Sequence, residues 1–135
     1  MKYDTDLIKK ITLFEKVTQS NVKEAFYLKD RLTFIVEPGE LGKALGRNKE
    51  NIRKLNSMFK EKLKIVEFTP EMLDFIVNFL KPLQIQDIEE SDGIVTIQGG
   101  DPAVNGLIIG KRAQNLRALE EVVNKYFEVT EIKVI

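Results

Sequence analysis

The sequence predicts an α+β chain in which one unit, α-β-β-α-α-β, is written twice. Three observations predict it. The stretch "KALGRNKENIRKL" (residues 43–55) returns as "LIIGKRAQNLRAL" (residues 107–119), an offset of 64 positions. Internal repeats of this kind set the architecture before any single residue does. The same offset pairs Pro38 with Pro102, Gly42 with Gly106, Gly46 with Gly110, Asn51 with Asn115, Arg53 with Arg117, Leu55 with Leu119 and Glu67 with Glu131. Finally, segments with helical apolar spacing and segments rich in β-branched and aromatic residues follow each other in the same order in both halves.

In the first copy, Leu7, Ile8, Ile11, Phe14 and Val17 fall at helical spacing, with Asp4, Thr5 or Asp6 available as the cap. "VKEAFYLKDRLTFIVEP" follows and is broken at Lys29-Asp30-Arg31, which reads as a hairpin that Pro38 ends. A short helix over about 39–45 stops at Gly46. A longer one over about 49–60 turns Ile52, Leu55, Met58 and Phe59 inward, and "LKIVEF" closes as a strand. In the second copy, Met72, Leu73, Phe75, Ile76 and Phe79 line a helix that Pro82 stops. "LQIQDIEESDGIVTIQG" is a hairpin with Asp92-Gly93 as its turn. Asp101-Pro102 starts a short helix as cap and first-turn proline. Residues 114–126 form the longer helix and "VTEIKVI" the last strand. The predicted units are 1–68 and 69–135. Each packs its helices on a three-stranded sheet. Thr69-Pro70-Glu71 already starts a helix, with no Gly/Ser linker, so a fixed mutual orientation is expected.

Composition narrows the chemistry. The chain has 135 residues, 43% hydrophobic and 31% charged, with no cysteine and no histidine. Disulfides and thiolate chemistry are excluded, and the commonest general base and metal ligand is missing. An enzyme is not expected. No apolar run approaches the roughly 20 residues of a membrane span, and the charged N-terminus does not read as a signal peptide. A cytoplasmic protein with no membrane partner and no small-molecule substrate is expected. Net charge is zero, but residues 1–68 carry 15 Lys+Arg against 10 Asp+Glu (net +5), and residues 69–135 carry 6 against 11 (net −5). An anionic partner is drawn to the first half.

A short helix, a glycine-led loop of four residues and a second helix resemble the K-homology (KH) motif, whose loop is written G-x-x-G. The extra helix and strands precede the helix pair, as in the type II form. Two such units without a linker resemble the tandem KH region of the NusA transcription factors, and a chain of nothing else resembles the short archaeal NusA-like proteins. The resemblance covers essentially all of the chain. It implies an α+β fold of two tandem type II KH domains and a single-stranded RNA ligand. It also implies a role in transcription elongation, pausing, termination or antitermination, with RNA polymerase as a partner by family analogy alone. No cofactor is implied.

The loop maps to Gly46-Arg47-Asn48-Lys49 and Gly110-Lys111-Arg112-Ala113. Elementary physics suits the mapping. A loop feeding a helix N-terminus offers backbone N–H groups and partial positive charge to a phosphate. Glycine lets a ligand backbone come close, and the basic residues attract from a distance. Arg53, Gln114 and Arg117 complete the candidate site, the two arginines either touching phosphate or bracing the loop. Asn51 and Asn115 read better as pins of the loop. In both copies the final glycine is missing. Ala113 is expected to be entering a helix, where alanine is a good former, while Lys49 brings bulk and a further cation. The eight phenylalanines read as core. Glu89, Glu90, Asp92, Glu120 and Glu121 read as solvated surface. The alternative function is a protein-interaction scaffold with degenerate loops and weak or no RNA binding.

Overall fold

A computed structural model describes residues 4–135; residues 1–3, part of the first predicted unit, lie outside the described residues. The chain forms two compact units, Met1–Thr69 and Pro70–Ile135.

The first unit runs α1 (Thr5–Thr18), β1 (Val22–Leu28), β2 (Arg31–Val36), α2 (Leu41–Leu45), a 3-10 turn (Arg47–Lys49), α3 (Glu50–Phe59) and β3 (Leu63–Glu67). Asp4 is the cap of α1, its carboxylate accepting the Leu7 N–H at 2.7 Å. The sheet order is β1-β2-β3. β1 and β2 pair antiparallel, and β2 and β3 pair parallel from Leu32↔Leu63 to Val36↔Glu67. The hairpin turns on Lys29 and Asp30, both at positive φ (51° and 64°), and Arg31 already belongs to β2. Two successive left-handed residues are what a two-residue hairpin needs to match strand twist.

Leu32, Phe34 and Val36 alternate along β2 onto a core that includes Leu7, Phe14, Ala25, Ala44, Leu55 and Leu63. Phe14 stacks on Phe34 with ring centroids 4.1 Å apart. Two residues of the predicted inward faces instead point out: Ile8 is 50% and Met58 43% exposed. Each lies at the margin of its helical stripe, where a 3.6-residue repeat carries apolar positions past the edge of a narrow contact.

The second unit runs α4 (Met72–Leu80), β4 (Asp87–Ser91), β5 (Ile94–Gln98), α5 (Pro102–Ile109), a 3-10 turn (Lys111–Ala113), α6 (Gln114–Asn124) and β6 (Glu131–Val134). Sheet order and pairing sense repeat those of the first unit. Residues 83–86 of the predicted hairpin lie outside β4, and there the Gln86 N–H donates to the Gln98 carbonyl at 2.7 Å. Asp92 and Gly93 make the turn at φ 52° and 82°. The Gly93 carbonyl accepts the Thr130 N–H at 2.7 Å, tying the turn to the entry of β6. Phe75 is fully buried, with Tyr126 edge-on at 5.7 Å and Phe127 at 5.8 Å.

One pair of matched positions folds differently. Asp101 caps α5 through the Val104 N–H (2.9 Å) and Pro102 sets its first turn. In the first copy Gly39 sits at φ 82°, outside helical space, so α2 starts only at Leu41 and is shorter than expected. Among the described residues no helix is long and apolar enough to cross a membrane.

Candidate nucleic-acid interface

The two corners between α2 and α3 and between α5 and α6 are one device built twice. Each helix ends at a glycine, Gly46 (φ 76°, ψ 170°) or Gly110 (φ 74°, ψ 174°). That backbone region is essentially reserved for glycine. A second constraint acts at the same atom. A Cβ on Gly46 would stand 2.7 Å from Asn51 Cγ, and one on Gly110 2.6 Å from Asn115 Cγ. The asparagines are there because they reach back: Asn51 Nδ2 donates to the Lys43 carbonyl and Asn115 Nδ2 to the Leu107 carbonyl, each at 2.9 Å. Those carbonyls belong to the last turn of a helix, where orphan acceptors need partners. Asn51 and Asn115 are therefore loop pins.

Past the glycine the chain makes a 3-10 turn whose second and third residues are left-handed. Asn48 and Lys49 lie at φ 56° and 59°, Arg112 and Ala113 at φ 55° and 60°. The expectation that Ala113 is entering a helix is thus corrected. α6 begins at Gln114, and Ala113 occupies the left-handed region, where a Cβ is a liability. The fourth loop position favours glycine for its own conformation, and Lys49 and Ala113 adopt it without being glycine.

Arg47, Asn48, Lys49, Lys111, Arg112 and Gln114 are all exposed. The residues at the N-caps of α3 and α6, Lys49 and Ala113, make no side-chain capping hydrogen bond. Each corner so presents cations beside a helix start. The corners differ in their supports. Arg53 Nη1 donates to the Asn48 carbonyl at 2.6 Å and braces its loop. Arg117, the matched residue, pairs instead with Glu120 at 2.7 Å, and the other Glu120 oxygen accepts the Ile132 N–H at 2.8 Å. The first corner carries Glu50 in its helix's first turn, and the second has the neutral Gln114 there.

Glu90 accepts the Gly93 N–H at 2.8 Å and shapes the hairpin. A depression of about 610 Å³ beside that turn is rimmed by Glu90, Asp92 and Glu128. Among the described residues no group of three or more acidic, histidine or cysteine side chains is placed to hold a metal.

The fold and its two corners define a class: a two-unit α+β protein that presents a basic, glycine-hinged helix–turn–helix corner from each unit. The chain is similar over its whole length to archaeal proteins described as "Probable transcription termination protein NusA". The protein of Methanocaldococcus jannaschii is 28% identical over 138 residues, covering 100% of this chain and 75% of that one. That of Methanococcus vannielii is 27% identical, covering 100% and 80%. That of Thermoplasma acidophilum is 24% identical, covering 97% and 93%. No family model matches. Among solved structures, the one described as "Crystal structure of APE1850" superposes with a TM-score of 0.69 at 23% identity, covering 98% of this chain and all of that one, a likeness of fold. The resemblance to archaeal NusA-like proteins, first carried by the loop motif, extends across both units.

Proposed function

We propose that this chain is a single-stranded RNA-binding protein of the NusA type. Its units, 1–68 and 69–135, are tandem type II KH domains that clamp nascent RNA in the cytoplasm during transcription. Termination is the activity named for its relatives, and pausing or antitermination would use the same grip. RNA polymerase is the natural partner of a factor that meets RNA as it emerges. One observation carries the reading: the same exposed, pinned corner occurs in both units, with Arg47 and Lys49 in one and Lys111 and Arg112 in the other.

The mechanism follows from that geometry. Cations at the corner draw a phosphate in. The asparagine pins hold each loop in place before any ligand arrives, so little conformational freedom would be lost on binding. A KH loop holds about four nucleotides of backbone, so two loops would engage roughly eight. Arg53 serves by bracing the first loop, and Gln114 and Arg117 flank the second.

Titration of short single-stranded RNAs at several salt concentrations tests the proposal. The wild-type chain should bind saturably with a clear salt slope. Lys111→Asp with Arg112→Asp should fold normally and lose binding through the second corner. Wild-type affinity in that folded double variant removes the second corner from the interface. A folded wild-type chain that binds no RNA at all favours the interaction scaffold instead.

A further inference from the structure

Gly42 and Gly106 stand one helical turn before the corner glycines, and their carbonyls accept the N–H groups of Gly46 and Gly110 at 2.9 and 2.8 Å. Among helix residues glycine is the worst choice after proline. At the corner glycines the choice is forced by positive φ and by the asparagine. At Gly42 and Gly106 neither reason holds: φ is not in the left-handed range, and a Cβ on either would meet no heavy atom within 4 Å. Both are exposed. Each unit thus leaves a strip of helix backbone bare where its own packing does not require it. Bare backbone admits close approach by something outside the unit.

The next residue differs between the copies in a telling way. Its carbonyl is held by the pinning asparagine in both, so its backbone is fixed alike. In the second unit it is Leu107, 60% exposed and three residues before Gly110. In the first it is Lys43, with a 61% exposed side chain. The carboxylate nearest Lys43, Glu40 at 3.8 Å, already accepts both Asn21 donors at 3.0 and 3.1 Å. A single strand of RNA offers two surfaces, charged phosphate and apolar base face. Lys43 matches the first and Leu107 the second.

We propose that Gly42 and Gly106 clear the helix surface for the RNA strand, and that the residue after each glycine divides the labour. Lys43 holds phosphate whatever the sequence, while Leu107 packs on a base and makes the second unit the one that discriminates. The inference rests on the RNA-binding reading above. Net charges of +5 and −5 for residues 1–68 and 69–135 agree with it: the first half supplies more of the attraction than the second. Apolar packing grows with the area buried, so a purine at the Leu107 position should bind tighter than a pyrimidine.

The test uses the full chain, a short oligouridine, and the same strand with adenines substituted in turn. Three quantities are read: melting midpoint, salt slope, and the affinity ratio between the strands. Gly106→Ala should melt higher than wild type and yet bind at least about threefold weaker, a factor of ten being 1.4 kcal/mol. A structural role for the glycine cannot produce that combination. Leu107→Lys should bring the affinity ratio toward one and steepen the log–log salt slope by about 0.7, one added phosphate contact. Lys43→Ala should flatten the slope by the same amount and keep the ratio. Gly106→Ala binding as wild type, or a ratio untouched by Leu107→Lys, overturns the inference while leaving RNA binding intact. A wild-type chain that binds neither strand overturns both readings.

Discussion

Replacing Ala113 by glycine should stabilise the second unit, although glycine is ordinarily the weaker helix residue. Ala113 sits at φ 60°, ψ 23°, one residue before α6 begins. An L-residue pays about 1–2 kcal/mol for that conformation and glycine almost none. Against this stands the greater freedom glycine gives the unfolded chain, about 0.4–1 kcal/mol. The difference is a gain of about 0.5–1 kcal/mol, or roughly 2–8 °C in melting midpoint for a unit of this size. Gly110→Ala, three residues earlier, should move the other way. Its φ of 74° with ψ 174° is strained for alanine by about 1–3 kcal/mol. The new Cβ would also push Asn115 off the Leu107 carbonyl, a further loss of about 1 kcal/mol. Thermal unfolding followed by circular dichroism reads both. If Ala113→Gly melts lower by the amount expected inside a helix, the left-handed assignment of the fourth loop position is wrong.

Three further outcomes can be stated. Arg53→Ala should weaken RNA binding by freeing the Asn48 carbonyl it holds at 2.6 Å, with only about 0.5 kcal/mol lost in stability because the site is exposed; Arg117→Ala should leave its loop in place, since its partner is Glu120. Asn115→Ala should cost about 1 kcal/mol by stranding the Leu107 carbonyl, but should make Gly110→Ala less damaging than in the wild-type background, and a double-mutant cycle by chemical denaturation checks the coupling. Burial, and after it the charge of Arg31, pulls Lys64 down to about 8 in the folded chain. The folded state then sheds its proton before the unfolded state does, so this residue's contribution to stability should rise with pH between about 8 and 10.5. The rise from pH 7 to 9 should be about 1 kcal/mol, and Lys64→Met should abolish it in denaturant titrations at the two pH values.

The repeat was the most legible feature of the sequence, because a 64-residue offset that matches Gly46, Asn51 and Arg53 to Gly110, Asn115 and Arg117 registers the elements against each other. Element order followed from it. Boundaries that depend on one dihedral did not: Gly39 shortens α2 relative to α5, and nothing local distinguishes that glycine from a tolerated helical one. The pinning role of Asn51 and Asn115 was readable from spacing, since a residue five past a helix-ending glycine can reach back over the turn. The left-handed state of Ala113 was not, because alanine is the residue that least advertises it. The split between Arg53 and Arg117 was hidden for another reason. It depends on what stands three residues on, and Asn56 in the first copy cannot form the ion pair that Glu120 forms in the second.

In each unit the last strand closes the sheet, β3 against β2 and β6 against β5, and both closures are parallel. Parallel pairing cannot be made locally by a tight turn. On a ribosome the hairpin β1–β2 can therefore form early, but the far edge of β2 stays open until Glu67 has been synthesised. At about 5–20 residues per second, the stretch from Val36 to Glu67 takes roughly 2–6 s. During that interval Leu32, Phe34 and Val36 have their hairpin neighbour but lack the closing strand. A chain halted in α3 carries an apolar β edge with no partner, so aggregation of the nascent fragment is the consequence of truncation in this region.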